Sequence, residues 1–191
     1  MKAIILASSS PRRKALLEQI GLKFHVEASG REEIMHPELV PRRLVERLSL
    51  EKAQAVAKGH KNTIVIAADT LGVLDGRMIG KPGTEEEAAE MLEALGGRSH
   101  LVITGFTIMD SDTGKTVTRS VETKVHFKGL TEAEIDAYVK SGEPMGKAGA
   151  YAIQGLGAVL VDRIEGDYYN VIGLPLSAVA EELEGFGVEV L

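Results

Sequence analysis

Short apolar runs alternate along the chain with longer stretches in which apolar side chains recur every three or four positions. Glycine or proline marks most changes of period. The first run, Ala3-Ile4-Ile5-Leu6-Ala7, predicts a buried strand. From Pro11 to Ile20 the residues Leu16, Leu17 and Ile20 share a helical face, and Gly21 supplies the stop. A short extended piece from Phe24 to Val26 leads into the acidic turn Gly30-Arg31-Glu32-Glu33. Leu44, Val45, Leu48 and Val56 then define a long helix, Pro41 to Lys58, which Gly59 ends.

A second buried strand, Thr63 to Ala67, is expected to finish at Ala68-Asp69-Thr70. Asp75-Gly76 between apolar residues predicts a hairpin turn. Thr84 and Glu87 form a capping-box pair ahead of a helix from Glu85 to Leu95, and Gly96-Gly97 close it. Leu101 to Met109 and Thr116 to Phe127 read as long antiparallel strands joined by Asp112-Thr113-Gly114. In the second of these, Val117, Val121, Val125 and Phe127 take one face, while Glu122, Lys124 and His126 take the other. Thr131 with Glu134 opens a helix that runs to Ser141-Gly142. The remainder predicts a strand from Ala158 to Val161, a turn at Glu165-Gly166-Asp167, and a last helix from Leu176 to Leu183. Interleaved helices and strands indicate an α/β fold, and the long hairpin makes its sheet mixed. No repeat or low-complexity linker interrupts the pattern.

Composition narrows the function classes. At 191 residues the chain is expected to form a single domain over residues 1–191, or two lobes about one sheet, with a core of useful size. Aromatic residues make up only 4% and tryptophan is absent, which argues against a base-stacking platform for single strands. A net charge of −6 argues against a duplex-binding face, so no nucleic-acid partner is expected. Without cysteine, disulfides, thiol catalysis and thiolate zinc sites are excluded. The opening apolar run is too short for a signal-peptide core and no membrane-length stretch follows, so a cytoplasmic location away from membranes is the expectation.

The candidate chemistry starts where the first strand breaks into Ser8-Ser9-Ser10-Pro11-Arg12-Arg13. A helix N-terminus presents unpaired N–H groups and partial positive charge, and adjacent guanidinium groups add donors matched to phosphate oxygens. Ser10-Pro11 is equally an ordinary helix start. Arginines in a first turn, however, oppose the helix dipole unless an anion lies nearby. Asp69, directly after an apolar strand, suits a metal ligand or proton acceptor, and equally a turn-forming Asp. Glu32 and Glu33 could contribute to an oxygen-rich metal shell, and Lys52 and Lys81 could contact phosphate. No P-loop is present, because Gly142-Glu143-Pro144-Met145-Gly146-Lys147 is one spacer short and Ala148 replaces the hydroxyl residue. No dinucleotide fingerprint, histidine zinc spacing or Gly-x-Ser-x-Gly elbow appears. Hydroxyls, cations and carboxylates remain, a set suited to metal-assisted phosphate chemistry.

Six segments, in order, carry a resemblance. They are Ala7-Ser8-Ser9-Ser10-Pro11-Arg12-Arg13, Glu51-Lys52-Ala53, Ala67-Ala68-Asp69-Thr70, Gly80-Lys81-Pro82, Lys147-Ala148-Gly149-Ala150-Tyr151 with Ile153-Gln154-Gly155, and Asn170-Val171-Ile172-Gly173-Leu174-Pro175. Together they resemble the Maf family of nucleoside triphosphate pyrophosphatases across essentially the whole chain. The resemblance implies the fold shared with inosine triphosphate pyrophosphatases, two α/β lobes about a long mixed sheet with a central cleft. It implies hydrolysis between the α- and β-phosphates with a divalent cation, Mg²⁺ or Mn²⁺, and makes a homodimer an expectation. By position, Asp69 matches the family's proton acceptor and Arg12, Thr70 and Gln154 match the specificity set of the dTTP/UTP branch. Ser8, Arg13, Lys52 and Lys81 fall on phosphate positions, and Glu33, with Glu32 and Asp69, on the metal side. Two alternatives stay open: a noncanonical purine (ITP/XTP) pyrophosphatase, and a nucleotide-binding regulator of cell division and septum formation.

Overall fold

The computed structural model describes residues 2–30 and 39–191. Among them, seven strands form one mixed sheet: β1 (Ala3–Leu6), β2 (His25–Val26), β3 (Thr63–Leu74), β4 (Arg77–Ile79), β5 (Ser99–Asp110), β6 (Thr116–Phe127) and β7 (Val161–Glu165). Their order is β2-β1-β3-β5-β6-β7, and β4 pairs with β3 off this path. β1 is parallel to both β2 and β3, whereas β4 is antiparallel to β3 and β7 antiparallel to β6. The α-helices are α1 (Pro11–Gln19), α2 (Pro41–Ala57), α3 (Glu85–Leu95), α4 (Glu132–Lys140), α5 (Tyr168–Ile172) and α6 (Leu176–Glu184). The expected α/β class with a mixed sheet is what forms. No described helix is long and apolar enough to cross a membrane.

The chain divides into two compact units. One comprises residues 1–69, 104–121 and 173–191, and the other residues 70–103 and 122–172. β3, β5 and β6, each 12 residues long, belong partly to one and partly to the other.

The first unit packs α2 on the sheet. Ala53, Val56 and Ala57 of α2 meet Ile5 and Ala7 beside β1, Val65 and Ala67 of β3, and Met109 of β5. Small alanines let the helix approach closely, and at one point the approach is backbone to backbone. A Cβ built on Gly105 would lie 2.4 Å from the Val45 carbonyl group, so only glycine fits there. Ser49, fully buried on the same helix, hydrogen-bonds Thr107 at 2.9 Å, and Thr107 meets Thr118 at 2.9 Å. These hydroxyls satisfy one another where water is excluded.

The second unit has its own core. Ala88, Leu92 and Leu95 of α3 pack with Ile135, Tyr138 and Val139 of α4, over Val102, Val125 and Phe127 of the sheet and Tyr151. Phe127 and Tyr151 meet edge to face with ring centroids 4.7 Å apart. His100 joins them, 2.8 Å from the Tyr151 hydroxyl through Nε2. Burial, followed by the nearby His126 charge, lowers its pKa to about 4. At α4 the full capping box forms: Thr131 Oγ1 accepts from the Glu134 amide at 3.3 Å, and Glu134 accepts from the Thr131 amide at 2.9 Å. At α3 only half forms, because the Glu87 carboxylate turns to the Gly83 amide at 2.7 Å.

Two sequence expectations need correction. β3 does not end near Asp69 but continues to Leu74, because Leu71, Gly72 and Val73 are buried and Gly72 to Leu74 pair with β4. The 155–160 stretch is not the start of a strand but a 3-10 helix, and β7 begins at Val161. There Gly155 has φ +74°, and the Leu156 and Gly157 amides donate to Glu143, so tertiary hydrogen bonds override the local alternation.

Candidate functional site

β1 delivers the first polar cluster. The Ala7 amide donates to the Ile66 carbonyl at 2.7 Å, extending the parallel pairing beyond Leu6 and bringing Ser8 out alongside β3. Ser8 is buried, and its Oγ accepts from the Ser10 amide at 3.2 Å and from Arg13 Nη1 at 3.3 Å. Ser10 is the N-cap of α1 and accepts from the Arg13 amide at 3.5 Å, with Pro11 at the first helical position. Arg13 also donates through Nε to the Gly173 carbonyl at 2.8 Å. Its guanidinium is thereby fixed at the mouth of the turn. Arg12, half-buried, precedes it, and α1 has no acidic residue in its first turn. The cationic helix start anticipated from sequence is present.

α2 and β3 provide the second cluster. Lys52 lies on the face of α2 that carries Val45, Leu48, Ser49 and Val56, the face turned to the core. Its ammonium therefore ends inside rather than in bulk water, ion-paired with Asp69 of β3. The two side chains are 15% and 14% exposed, so the pair is shielded while remaining reachable. Lys52 fixes the orientation of the carboxylate. Asp69 thus lies within a long strand, where rigid backbone holds it, instead of at the strand end that the sequence suggested.

The second unit carries the remaining candidates. Thr70 is half-buried and follows Asp69 directly on β3. Lys81 is exposed just after β4, on a segment anchored by the Gly149 amide, which donates to the Gly80 carbonyl at 3.0 Å. Gln154 is exposed on extended backbone, with φ −97° and ψ 158°, immediately before the 3-10 helix Gly155–Leu160. Glu32 and Glu33 lie outside the described residues.

The first unit thus carries Arg12 and Arg13 at the start of α1 and the Lys52–Asp69 pair on α2 and β3. The guanidinium groups suit phosphate oxygens, and the Asp69 carboxylate supplies an oxygen acceptor. Among the described residues no three His, Asp or Glu side chains gather to hold a metal ion. Asp69 alone fits a hard divalent cation of the Mg²⁺ type, which takes one or two carboxylates and completes its shell with phosphate oxygens and water. Sequence reading missed the Gly173 carbonyl, because 160 positions separate it from Arg13. It also passed over Glu143 and Tyr138, seeing residues 142–147 only as a failed P-loop. The one signal there was the Gly155 and Gly157 pair, whose missing side chains admit close partners.

Comparison with known proteins identifies the family. A family model described as Maf-like protein matches residues 3–186. Two relatives named dTTP/UTP pyrophosphatase, from Pelotomaculum thermopropionicum and Desulforamulus reducens, are 50% and 47% identical over 191 residues, with 100% of both chains covered in each case. Another of that name, from Bacillus cereus, is 49% identical over 190 residues, covering 100% of this chain and 93% of its own. The structure of the Staphylococcus aureus Ham1 protein is similar with a TM-score of 0.56 over 97% of this chain and 100% of that one. At 15% identity this is a likeness of fold. The six ordered segments, the cationic start of α1 and a family match over residues 3–186 converge, and the chain belongs to the Maf-like proteins.

Proposed function

We propose that this protein is a nucleoside triphosphate pyrophosphatase that hydrolyses dTTP and UTP to the monophosphate and pyrophosphate. Relatives 47–50% identical over their full or nearly full length bear that name. The observation that carries the mechanism is the shielded Lys52–Asp69 pair on rigid α2 and β3. A water molecule attacks the α-phosphorus in line, its proton passes to an Asp69 carboxylate oxygen, and the α–β bridging oxygen leaves with pyrophosphate. Lys52 keeps the carboxylate aimed and adds positive charge near the phosphates.

Arg13, preset by Ser8 and the Gly173 carbonyl, meets phosphate oxygens without reordering, and Ser8 shapes the turn that presents it. Lys81 acts on the leaving pyrophosphate. Gln154 offers one donor and one acceptor, matching the N3–H and 4-oxo edge of uracil and thymine. Arg12 and Thr70 contribute to base selection. Asp69, with Glu33 and Glu32, would hold a Mg²⁺ or Mn²⁺ ion, which when bound supplies neutralisation of the triphosphate.

The test is pyrophosphate and monophosphate release from a panel of pyrimidine and purine triphosphates, run in ¹⁸O-labelled water beside Asp69→Asn. The expected result is selective turnover of dTTP and UTP, with label in the monophosphate, lost in the variant. Label in pyrophosphate would overturn attack at the α-phosphorus, and preference for ITP or XTP would overturn the pyrimidine assignment. Full activity of Asp69→Asn would remove its role as proton acceptor.

A further inference from the structure

Gln154 follows Ile153, which packs against the second unit's core, and precedes Leu160, which is buried in it. Leu156 and Val159 are 58% and 69% exposed, and the glycines at 155 and 157 favour no single conformation. Burial therefore holds the segment at Ile153 and Leu160, and one carboxylate holds the turn between them. Glu143 Oε1 accepts from the Gly157 amide at 2.9 Å and from the Tyr138 hydroxyl at 2.9 Å, and Oε2 accepts from the Leu156 amide at 3.0 Å. The Tyr138 hydroxyl in turn accepts from the Ala152 amide at 3.2 Å. Backbone is thus pinned two residues before Gln154 and two and three residues after it.

The glycines are part of the same device. A Cβ on Gly155 would lie 2.6 Å from Glu143 Oε2, and one on Gly157 would lie 2.6 Å from the Tyr138 hydroxyl and 2.1 Å from the Ala152 carbonyl oxygen. Side chains at either position would push the carboxylate and hydroxyl away. Tyr138 itself is rooted in the core between α3 and α4, so the anchor is rigid at its base. Lys147 donates to the Glu143 carbonyl and holds the anchor's own backbone. Burial alone would raise the Glu143 pKa, but the Gly157 and Leu156 amides, the Tyr138 hydroxyl and the Lys147 charge outweigh it and lower it.

We propose that Glu143, working through Tyr138 and the amides of residues 152, 156 and 157, is a positioning residue that sets Gln154 for base recognition. This rests on Gln154 being the reader of the pyrimidine edge. Glu143 touches neither phosphate nor metal in this reading, so its loss should relax base choice without slowing the chemistry on a substrate that has no base.

The test compares kcat/KM for UTP, for ITP and for methyl triphosphate, which lacks a base. The variants are Glu143→Ala, Glu143→Gln, Tyr138→Phe, Gln154→Ala and the Glu143→Ala/Gln154→Ala double variant. The UTP-to-ITP ratio should fall about tenfold in Glu143→Ala, the scale of one misplaced hydrogen bond, and through KM rather than kcat. Methyl triphosphate turnover should not change in Glu143→Ala. Glu143→Gln and Tyr138→Phe, which keep most of the packing, should show a smaller fall in the same direction. The double variant should be no less selective than Gln154→Ala alone, because both act through one element. A collapsed ratio in Gln154→Ala with unchanged ratios in the Glu143 and Tyr138 variants would overturn the inference and keep the base-reader assignment. An unchanged ratio in Gln154→Ala would overturn the assignment and the inference together. An equal loss on methyl triphosphate in Glu143→Ala would reduce Glu143 to a general structural role.

Discussion

In the first unit the charged side chains are held directly, Lys52 and Asp69 by each other and Arg13 by Ser8 and the Gly173 carbonyl. In the second, Lys81 and Gln154 stand exposed, and the backbone beneath them is held from behind by Gly149, Glu143 and Tyr138. On the function proposed above, the difference separates two demands. A group that takes a proton must be aimed at its own atoms, so its partner binds the side chain directly. A group that reads a ligand edge must keep its side-chain donors and acceptors uncommitted, so the protein invests in the chain on either side instead.

The sharpest way to break the comparison is Asp69→Asn. It should lower turnover about 10²- to 10⁴-fold, the range for a lost general base, while thermal melting stays near wild type. A variant that melted early would show that the first unit needs the ion pair for folding as well as for aim.

Next in size is a pH effect confined to the second unit's core. The unfolded chain protonates His100 near the ordinary imidazole value of 6.5, the folded chain only at about 4. Between those values the unfolded state binds the extra proton, so stability is complete above pH 6.5 and falls as pH drops toward 4. The contribution is on the order of 3 kcal/mol. Urea unfolding at pH 7 and pH 4.5 should show the loss, and His100→Phe should flatten that part of it. Identical pH slopes in the two proteins would place the effect on other groups.

Gly105→Ala comes third. Its Cβ would press on the Val45 carbonyl, so α2 must shift, at about 1–3 kcal/mol of stability. Because α2 carries Lys52, UTP turnover should fall as well. A loss of stability with normal turnover would mean that Lys52 tolerates movement of its helix. Smallest is Thr131→Ala, which removes the hydroxyl half of the capping box, leaves the Thr131 amide on Glu134, and should cost about 1 kcal/mol in chemical denaturation with turnover unchanged.

The helical faces and the β6 alternation were legible because each is a local period that burial enforces: Thr123, Val125 and Phe127 are buried, while Glu122 and Lys124 are exposed. Lys52 and Asp69 were named from type and setting, but their pairing was not, since a helix pattern does not say which strand residue faces it. The extent of β3 was misjudged because Asp69 and Thr70 look like a terminus. The buried run Leu71-Gly72-Val73 beyond them reads as strand only once β4 is there to pair with it. Glu143 was invisible for a related reason. Its amide partners lie 13 and 14 positions away in irregular backbone, where no periodicity reports a contact.

The continuity of β3 through Asp69 and Thr70 has a consequence for how this chain can vary. Along a strand, one residue added or removed exchanges the faces of everything that follows. An insertion after Asp69 would turn Leu71 and Val73 out of their buried positions and shift Gly72, Val73 and Leu74 off Ile79, Met78 and Arg77. Among homologous genes this stretch should therefore accumulate substitutions but not gaps, and length changes should collect in exposed turns such as the one from Ser111 to Gly114.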